Sequence, residues 1–143
     1  MTNTQKKLQM TAGSNALQKI ILLVDDDEDE HEIFLSALRN IDNSQDLICA
    51  TSCDEALDVL KELEPDYIFI DVNMPRKNGI TCLQEIKKID SLAHVPAYMY
   101  STGINAFDRQ RALQMGAVDY LIKPNSISSL CILLRKIIYQ LPF

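Results

Sequence analysis

The stretch Tyr67-Ile68-Phe69-Ile70-Asp71-Val72-Asn73-Met74-Pro75 decides how this chain is read. Apolar residues give way to a carboxylate, then to a proline-containing loop that runs to Gly79. A short apolar run bounded by turn signals is the mark of a buried strand. In an open α/β sheet, ligands bind beyond the carboxyl ends of such strands. Upstream the pattern recurs, Ile20-Ile21-Leu22-Leu23-Val24 ending in Asp25-Asp26-Asp27. Downstream, Ala97-Tyr98-Met99-Tyr100 ends in Ser101, and Tyr120-Leu121-Ile122 ends in Lys123-Pro124. Strand ends thus supply acids, a hydroxyl and an ammonium.

Helical patterns lie between these runs. A first helix is predicted over about residues 29–40, with Ile33, Phe34, Ala37, Leu38 and Ile41 as its apolar stripe. A second strand follows over about 46–50. A second helix over about 53–63 starts at Ser52 and Glu55, which fit a capping box. A third helix spans about 80–89 and a fourth about 106–115, capped by Asn105 and stopped by Gly116. The last strand is read over 118–122, and a last helix over about 127–140 is capped by Ser126. Strands alternating with helices give a parallel sheet covered on both faces.

The 143 residues suit one domain with a real core. A net charge of −6 argues against a sequence-independent grip on nucleic acid, which needs basic residues to meet phosphates. No apolar stretch is long enough to span a bilayer, and residues 1–18 lack the apolar core of a secretory signal. The four cysteines, Cys49, Cys53, Cys82 and Cys131, form no C-x-x-C pair. They are read as reduced thiols packed as small hydrophobes in a cytoplasmic protein. The acid block from Asp25 to Glu30 divides: Glu28, Asp29 and Glu30 suit the start of a helix, whereas Asp25 and Asp26 close a strand. Clustered carboxylates repel unless a cation is shared, and hard oxygen ligands select Mg²⁺ or Mn²⁺.

Together Asp25, Asp26, Asp71, Ser101 and Lys123-Pro124, in this order and at these strand ends, resemble the receiver domain of two-component response regulators. The resemblance covers about residues 19–141 and implies a flavodoxin-like (βα)5 doubly wound parallel sheet in strand order 2-1-3-4-5. Residues 19–143 would form that single domain, and residues 1–18 a flexible leader. Strands one and three then adjoin at the switch point, where Asp25, Asp26 and Asp71 converge. The resemblance assigns roles. Asp71 is the phosphoacceptor, assisted by Lys123 and Ser101. Asp26, Asp71 and the backbone carbonyl of Asn73 hold Mg²⁺ (or Mn²⁺), with Asp25 acting through water. Ser101 and Tyr120 form the switch, and the Lys123–Pro124 bond is cis. Asn73 and Gly103 stand where side chains control water access to the phosphoryl group.

The function so implied is that of a single-domain response regulator. It takes a phosphoryl group from a histidine kinase or phosphotransfer protein onto Asp71 and switches protein–protein contacts through the helix 4–strand 5–helix 5 face. Alternatives are a phosphorelay intermediate and a receiver that only docks. Helix five carries more apolar residues than one stripe needs, which suggests a partner or homodimer contact. The chain is read as a stand-alone receiver or a fragment of a larger protein, and no nucleic acid or membrane is expected as partner. Thr102, Asn125, Tyr98 and Tyr100 depart from the family pattern, the tyrosines by their bulk.

Other classes fit less well. An EF-hand loop from Asp25 would need glycine at position 30 and glutamate at 36, where Glu30 and Ser36 stand. A phosphatase with an aspartyl nucleophile wants an acid at Asn73, so turnover of outside substrates is not expected. A flavin-binding loop would not carry acids after strand one.

Overall fold

The structure is a computed structural model and describes residues 18–42, 44–103 and 105–142. The reading of residues 1–18 as a leader therefore lies, except for Gln18, outside the described residues. The elements alternate as β1 (Ile20–Val24), α1 (Glu28–Ile41), β2 (Asp46–Ala50), α2 (Cys53–Leu60), β3 (Tyr67–Ile70) and α3 (Gly79–Lys87). A 3-10 turn (Asp90–Leu92) leads to β4 (Ala97–Ser101), α4 (Ala106–Gln114), β5 (Asp119–Ile122) and α5 (Ile127–Ile138). All strand pairings are parallel and the order is β2-β1-β3-β4-β5, as expected for the doubly wound sheet.

Burial explains why the apolar runs became strands. Every residue of β1, β3 and β4 is buried, because helices cover both faces. Alternation along the strands divides the core in two. Leu22, Val24, Ile68, Ile70, Ala97 and Met99 meet α2, α3 and α4 in an aliphatic layer. Ile21, Leu23, Phe69, Tyr98 and Tyr100 meet Phe34, Ala37 and Leu38 of α1 and Leu130, Leu134, Ile137 and Ile138 of α5. The bulk of Tyr98 and Tyr100 is accommodated in this second layer. Tyr98 stacks on Phe69 at 5.3 Å, and Tyr100 meets Phe34 edge-on at 5.8 Å. The broad stripe of α5 has two neighbours, the sheet and α1, where the Cys131 thiol donates to the Ala37 carbonyl at 3.3 Å. Ile127 and Ile132 are left exposed on that helix.

Side-chain caps set the helix starts. Asp27 accepts from the Asp29 amide, so α1 begins at Glu28 and takes its acids into the first turn. Ser52, Asn105 and Ser126 cap α2, α4 and α5 as expected, and Asn78 caps α3. The Glu55 carboxylate accepts from the Thr51 hydroxyl at 3.1 Å. Helix α2 stops at Leu60 rather than Leu63, and α5 at Ile138 rather than Gln140, whose φ of +56° leaves helical geometry.

One reading of the cysteines is corrected. Cys53 and Cys82 form a disulfide, with Cα atoms 5.5 Å apart, whereas Cys49 and Cys131 are free. The two meet because both point inward from the first turns of the neighbouring helices α2 and α3. Their separation of 29 residues matches no local motif. Among the described residues, no helix is long and apolar enough to cross a membrane.

Candidate phosphoacceptor site

The parallel registers bring the expected residues to one end of the sheet. The Asp25 amide donates to the Ala50 carbonyl (2.9 Å), and the Asp71 amide donates to the Val24 carbonyl (2.8 Å). The two acids therefore stand side by side just beyond β1 and β3. Carboxylate oxygens of Asp25, Asp26 and Asp71 all fit within 4.8 Å of one another. Their settings differ: Asp25 and Asp71 are buried and Asp26 is exposed.

Asp25 is fully engaged. One carboxylate oxygen accepts from the Asp27 amide at 3.0 Å and the other from Lys123 Nζ at 2.8 Å. Its carbonyl, which can only accept, lies 2.6 Å from His31 Nε2, so that nitrogen carries the proton. Lys123 comes from the end of β5, where its amide donates to the Ser101 carbonyl at 2.7 Å. Its ammonium reaches 3.9 Å from Asp71 and 4.0 Å from Glu30. The Lys123–Pro124 bond is trans, contrary to the cis bond expected. The isomers of a prolyl bond differ by only about 0.5–1 kcal/mol. The trans chain here already delivers the ammonium to Asp25.

Electrostatics single out Asp71. Burial pushes its carboxyl up to about 6; Lys123 pulls it down, while Asp25 and Asp26 push it up again. Lys123 lies above the ordinary lysine range: burial alone would lower it, but the Asp25 hydrogen bond and the charges of Asp25, Asp71 and Glu30 outweigh burial. The acids outnumber the one buried ammonium. An all-oxygen donor set with excess negative charge fits a hard divalent cation.

The rim completes the site. Ser101 is buried, and its hydroxyl oxygen accepts from the Asn73 amide group at 3.4 Å. Thr102 and Gly103 are exposed, and no atom would meet a Cβ on Gly103 within 4 Å. Tyr120 is buried, and its hydroxyl donates to the Gly103 carbonyl at 3.2 Å, so its ring already points inward in this conformation. Asn125 is exposed.

Three contributors escaped the sequence reading. A Cβ on Gly79 would stand 2.1 Å from the Asp71 carbonyl oxygen, so only glycine lets α3 start so close to Asp71. Lys77 ties the intervening loop to Glu85 (2.9 Å) and Asp54 (3.5 Å). Glu30, one turn into α1, reaches Lys123. The Gly79 signal was present, as a glycine opening a helix after an acid-bearing loop. The other two need the packing of α2, α3 and α1.

Comparison with known proteins agrees with this geometry. The family described as response regulator receiver domain matches residues 21–135. A probable C4-dicarboxylate response regulator, DctR, of Bacillus subtilis (strain 168) is 34% identical over 109 residues, 73% of this chain and 45% of that protein. A protein-glutamate methylesterase/protein-glutamine glutaminase of Caldanaerobacter subterraneus subsp. tengcongensis is 35% identical over 112 residues, 77% of this chain and 30% of that protein. The chain thus spans less than half the length of these relatives. Among solved structures, the Mn(2+)-bound form of response regulator Rcp1 is 25% identical, with a TM-score of 0.72 over 83% of this chain and 91% of that one. The chemotaxis response regulator CheY4 of Vibrio cholerae, at 24% identity and TM-score 0.73, covers 82% of this chain and 97% of that one and shares the fold. With the match extending over most of the sheet and its helices, and the acids, serine and lysine standing at its strand ends, the chain belongs to the response regulator receiver domain family.

Proposed function

We propose that this receiver takes a phosphoryl group onto Asp71 from a phosphohistidine of a sensor histidine kinase or histidine phosphotransfer protein. The observation that carries the reading is the buried Asp71 carboxylate flanked by Asp25, Asp26 and the Lys123 ammonium. In the transfer, an Asp71 carboxylate oxygen attacks phosphorus. The P–N bond breaks with its electron pair going to the imidazole, and an aspartyl-phosphate forms. Such transfer needs positioning and charge neutralisation more than covalent help. Asp26, Asp71 and the Asn73 carbonyl, with Asp25 through water, would hold Mg²⁺ or Mn²⁺. When bound, the ion supplies positive charge to the phosphoryl oxygens. Lys123 neutralises a second oxygen as a point charge, and Ser101 donates to a third. The chain acts as a phosphoacceptor that assists its own chemistry, not as a turnover enzyme on outside substrates.

The output is a change of protein contacts in the cytoplasm. Ser101 is already tied to Asn73 beside Asp71, and Tyr120 to the Gly103 carbonyl, so a new charge at Asp71 bears on the β4–α4 loop. Phe107 on α4, Ile122 on β5 and Ile132 on α5 are exposed apolar residues on the three elements that would meet a downstream protein. Handing the phosphoryl group on to a phosphotransfer protein, or docking without phosphorylation, are the alternatives. A homodimer through α5 would rest on Ile127 and Ile132. Light scattering showing a monomer at high concentration, phosphorylated or not, would remove it.

Intact mass after incubation with acetyl phosphate tests the core reading. One phosphoryl group should be gained by wild type in Mg²⁺, and none without metal or in Asp71→Asn. No gain in wild type with any divalent metal would overturn phosphoryl acceptance in favour of docking.

A further inference from the structure

Tyr100 is the residue before Ser101 on β4 and pairs with Leu121 of β5. Side chains alternate along a strand, so Lys123, two residues after Leu121, emerges on the same side of the sheet as Tyr100. The Lys123 ammonium lies over the face of the Tyr100 ring, 5.6 Å from its centroid. That is within cation–π range, and the interaction strengthens where water is excluded. Both are enclosed: Tyr100 is 2% exposed and the Lys123 side chain 9%. The Phe34 and Phe69 rings pack edge-on against it, with centroids 5.8 Å and 6.2 Å away. Glu30, 4.0 Å from the ammonium, competes with Asp25 and Asp71 for it.

We propose that Tyr100 is a positioning residue for phosphoryl transfer, its ring face holding the Lys123 ammonium toward Asp25 and Asp71. The role rests on the reading of Asp71 as phosphoacceptor. A ring face attracts a cation without fixing one direction of approach. It therefore holds Lys123 both on Asp25 before transfer and nearer the phosphoryl oxygens during it.

The test compares wild type, Tyr100→Phe, Tyr100→Leu and Phe34→Leu, the last removing a ring of the same cluster. Phosphorylation by acetyl phosphate in Mg²⁺ is followed by intact mass. Tyr100→Leu should be slower by roughly three- to thirtyfold. Tyr100→Phe, which keeps the ring, should restore the rate, and Phe34→Leu should leave it near wild type. In a Lys123→Ala background, Tyr100→Leu should add nothing. Proton NMR gives a readout independent of chemistry: the Lys123 Hε resonances should be shifted upfield by the ring in wild type and Tyr100→Phe. Absence of that shift in wild type overturns the proposal, even if Tyr100→Leu fails to fold. Equal slowing by Tyr100→Leu and Phe34→Leu overturns it too, since packing alone would then account for the loss. A wild type that shows the shift but gains no phosphoryl group overturns the receiver chemistry itself, a result distinct from a wild-type rate in Tyr100→Leu.

Discussion

Helices α4 and α5 flank the same edge of the sheet, yet they are held very differently. Helix α5 buries Leu130, Leu134, Ile137 and Ile138 against the sheet and α1. Helix α4 buries only Ala112, and leaves Phe107 68% and Leu113 41% exposed. Elements with little buried apolar surface occupy the low-stability end of a molecule, which is where moving parts are drawn from. The contrast assigns α5 the part of a fixed platform. It assigns α4, which follows the Ser101–Gly103 loop, the part that a small free-energy change can shift.

The most forceful way to break this contrast is to cut equivalent leucines. Leu134→Ala removes a fully buried side chain and should cost about 3 kcal/mol, within the range of buried leucine truncations. Leu113→Ala should stay within about 0.5 kcal/mol, as exposed substitutions do. Urea unfolding of both variants measures the difference. Similar losses would mean that α4 is as firmly anchored as α5.

A second prediction concerns the charge that α4 would respond to. The Asp71 carboxyl titrates at about 6 when folded, against an ordinary 3.8. Between those values the folded state holds a proton that the unfolded state has lost. Stability should therefore fall as pH rises through this window and stay reduced above it. At pH 8 without metal, Asp71→Asn should be more stable than wild type by on the order of 2 kcal/mol. The gap should narrow below pH 4 and on adding Mg²⁺, which finds the Asp71 carboxylate beside Asp25 and Asp26 only in wild type. No gap at pH 8 would show that Asp71 is not under electrostatic load, and α4 would then have nothing to relieve.

How much of this is legible in the sequence differs between the two layers of the core. The apolar runs at 20–24, 67–70 and 97–100 ended in chemistry, which placed Asp25, Asp26, Asp71 and Ser101 at strand ends, whereas the strand order that brings them together with Lys123 came from the family resemblance. Period-two alternation also says which side Tyr100 takes. It does not say that α1 will bring Phe34 to Tyr100 or Glu30 to Lys123, because those contacts depend on how a helix docks. On bulk alone Tyr98 and Tyr100 looked like misfits; opposite Phe34 and Phe69 they fill a layer. The Cys53–Cys82 bond was hidden for the same reason, since it joins two helices whose adjacency only the fold supplies. The width of the α5 stripe pointed outward to a partner until α1 was seen to occupy much of it.

The finest test separates the hook from the helix. Besides Ala112 and the Arg109–Asp119 ion pair at 3.7 Å, α4 is linked to the core through the loop before it, where the Tyr120 hydroxyl donates to the Gly103 carbonyl. Tyr120→Phe keeps the ring and deletes that hydrogen bond. The loss should cost about 1 kcal/mol, because the freed carbonyl lies on an exposed residue that water can reach. Global unfolding does not say where such a loss falls, but local opening does. Amide hydrogen exchange should quicken about fivefold in α4, the factor that 1 kcal/mol sets on an opening equilibrium, and stay unaltered in α5. If α4 and α5 quicken together, the two helices open as one unit and the platform has no separate moving part. If neither changes, the hydroxyl is not what holds the loop. The weak hold on α4 then reduces to Ala112 and the Arg109–Asp119 ion pair, and Tyr120 loses its claim to a part in the switch.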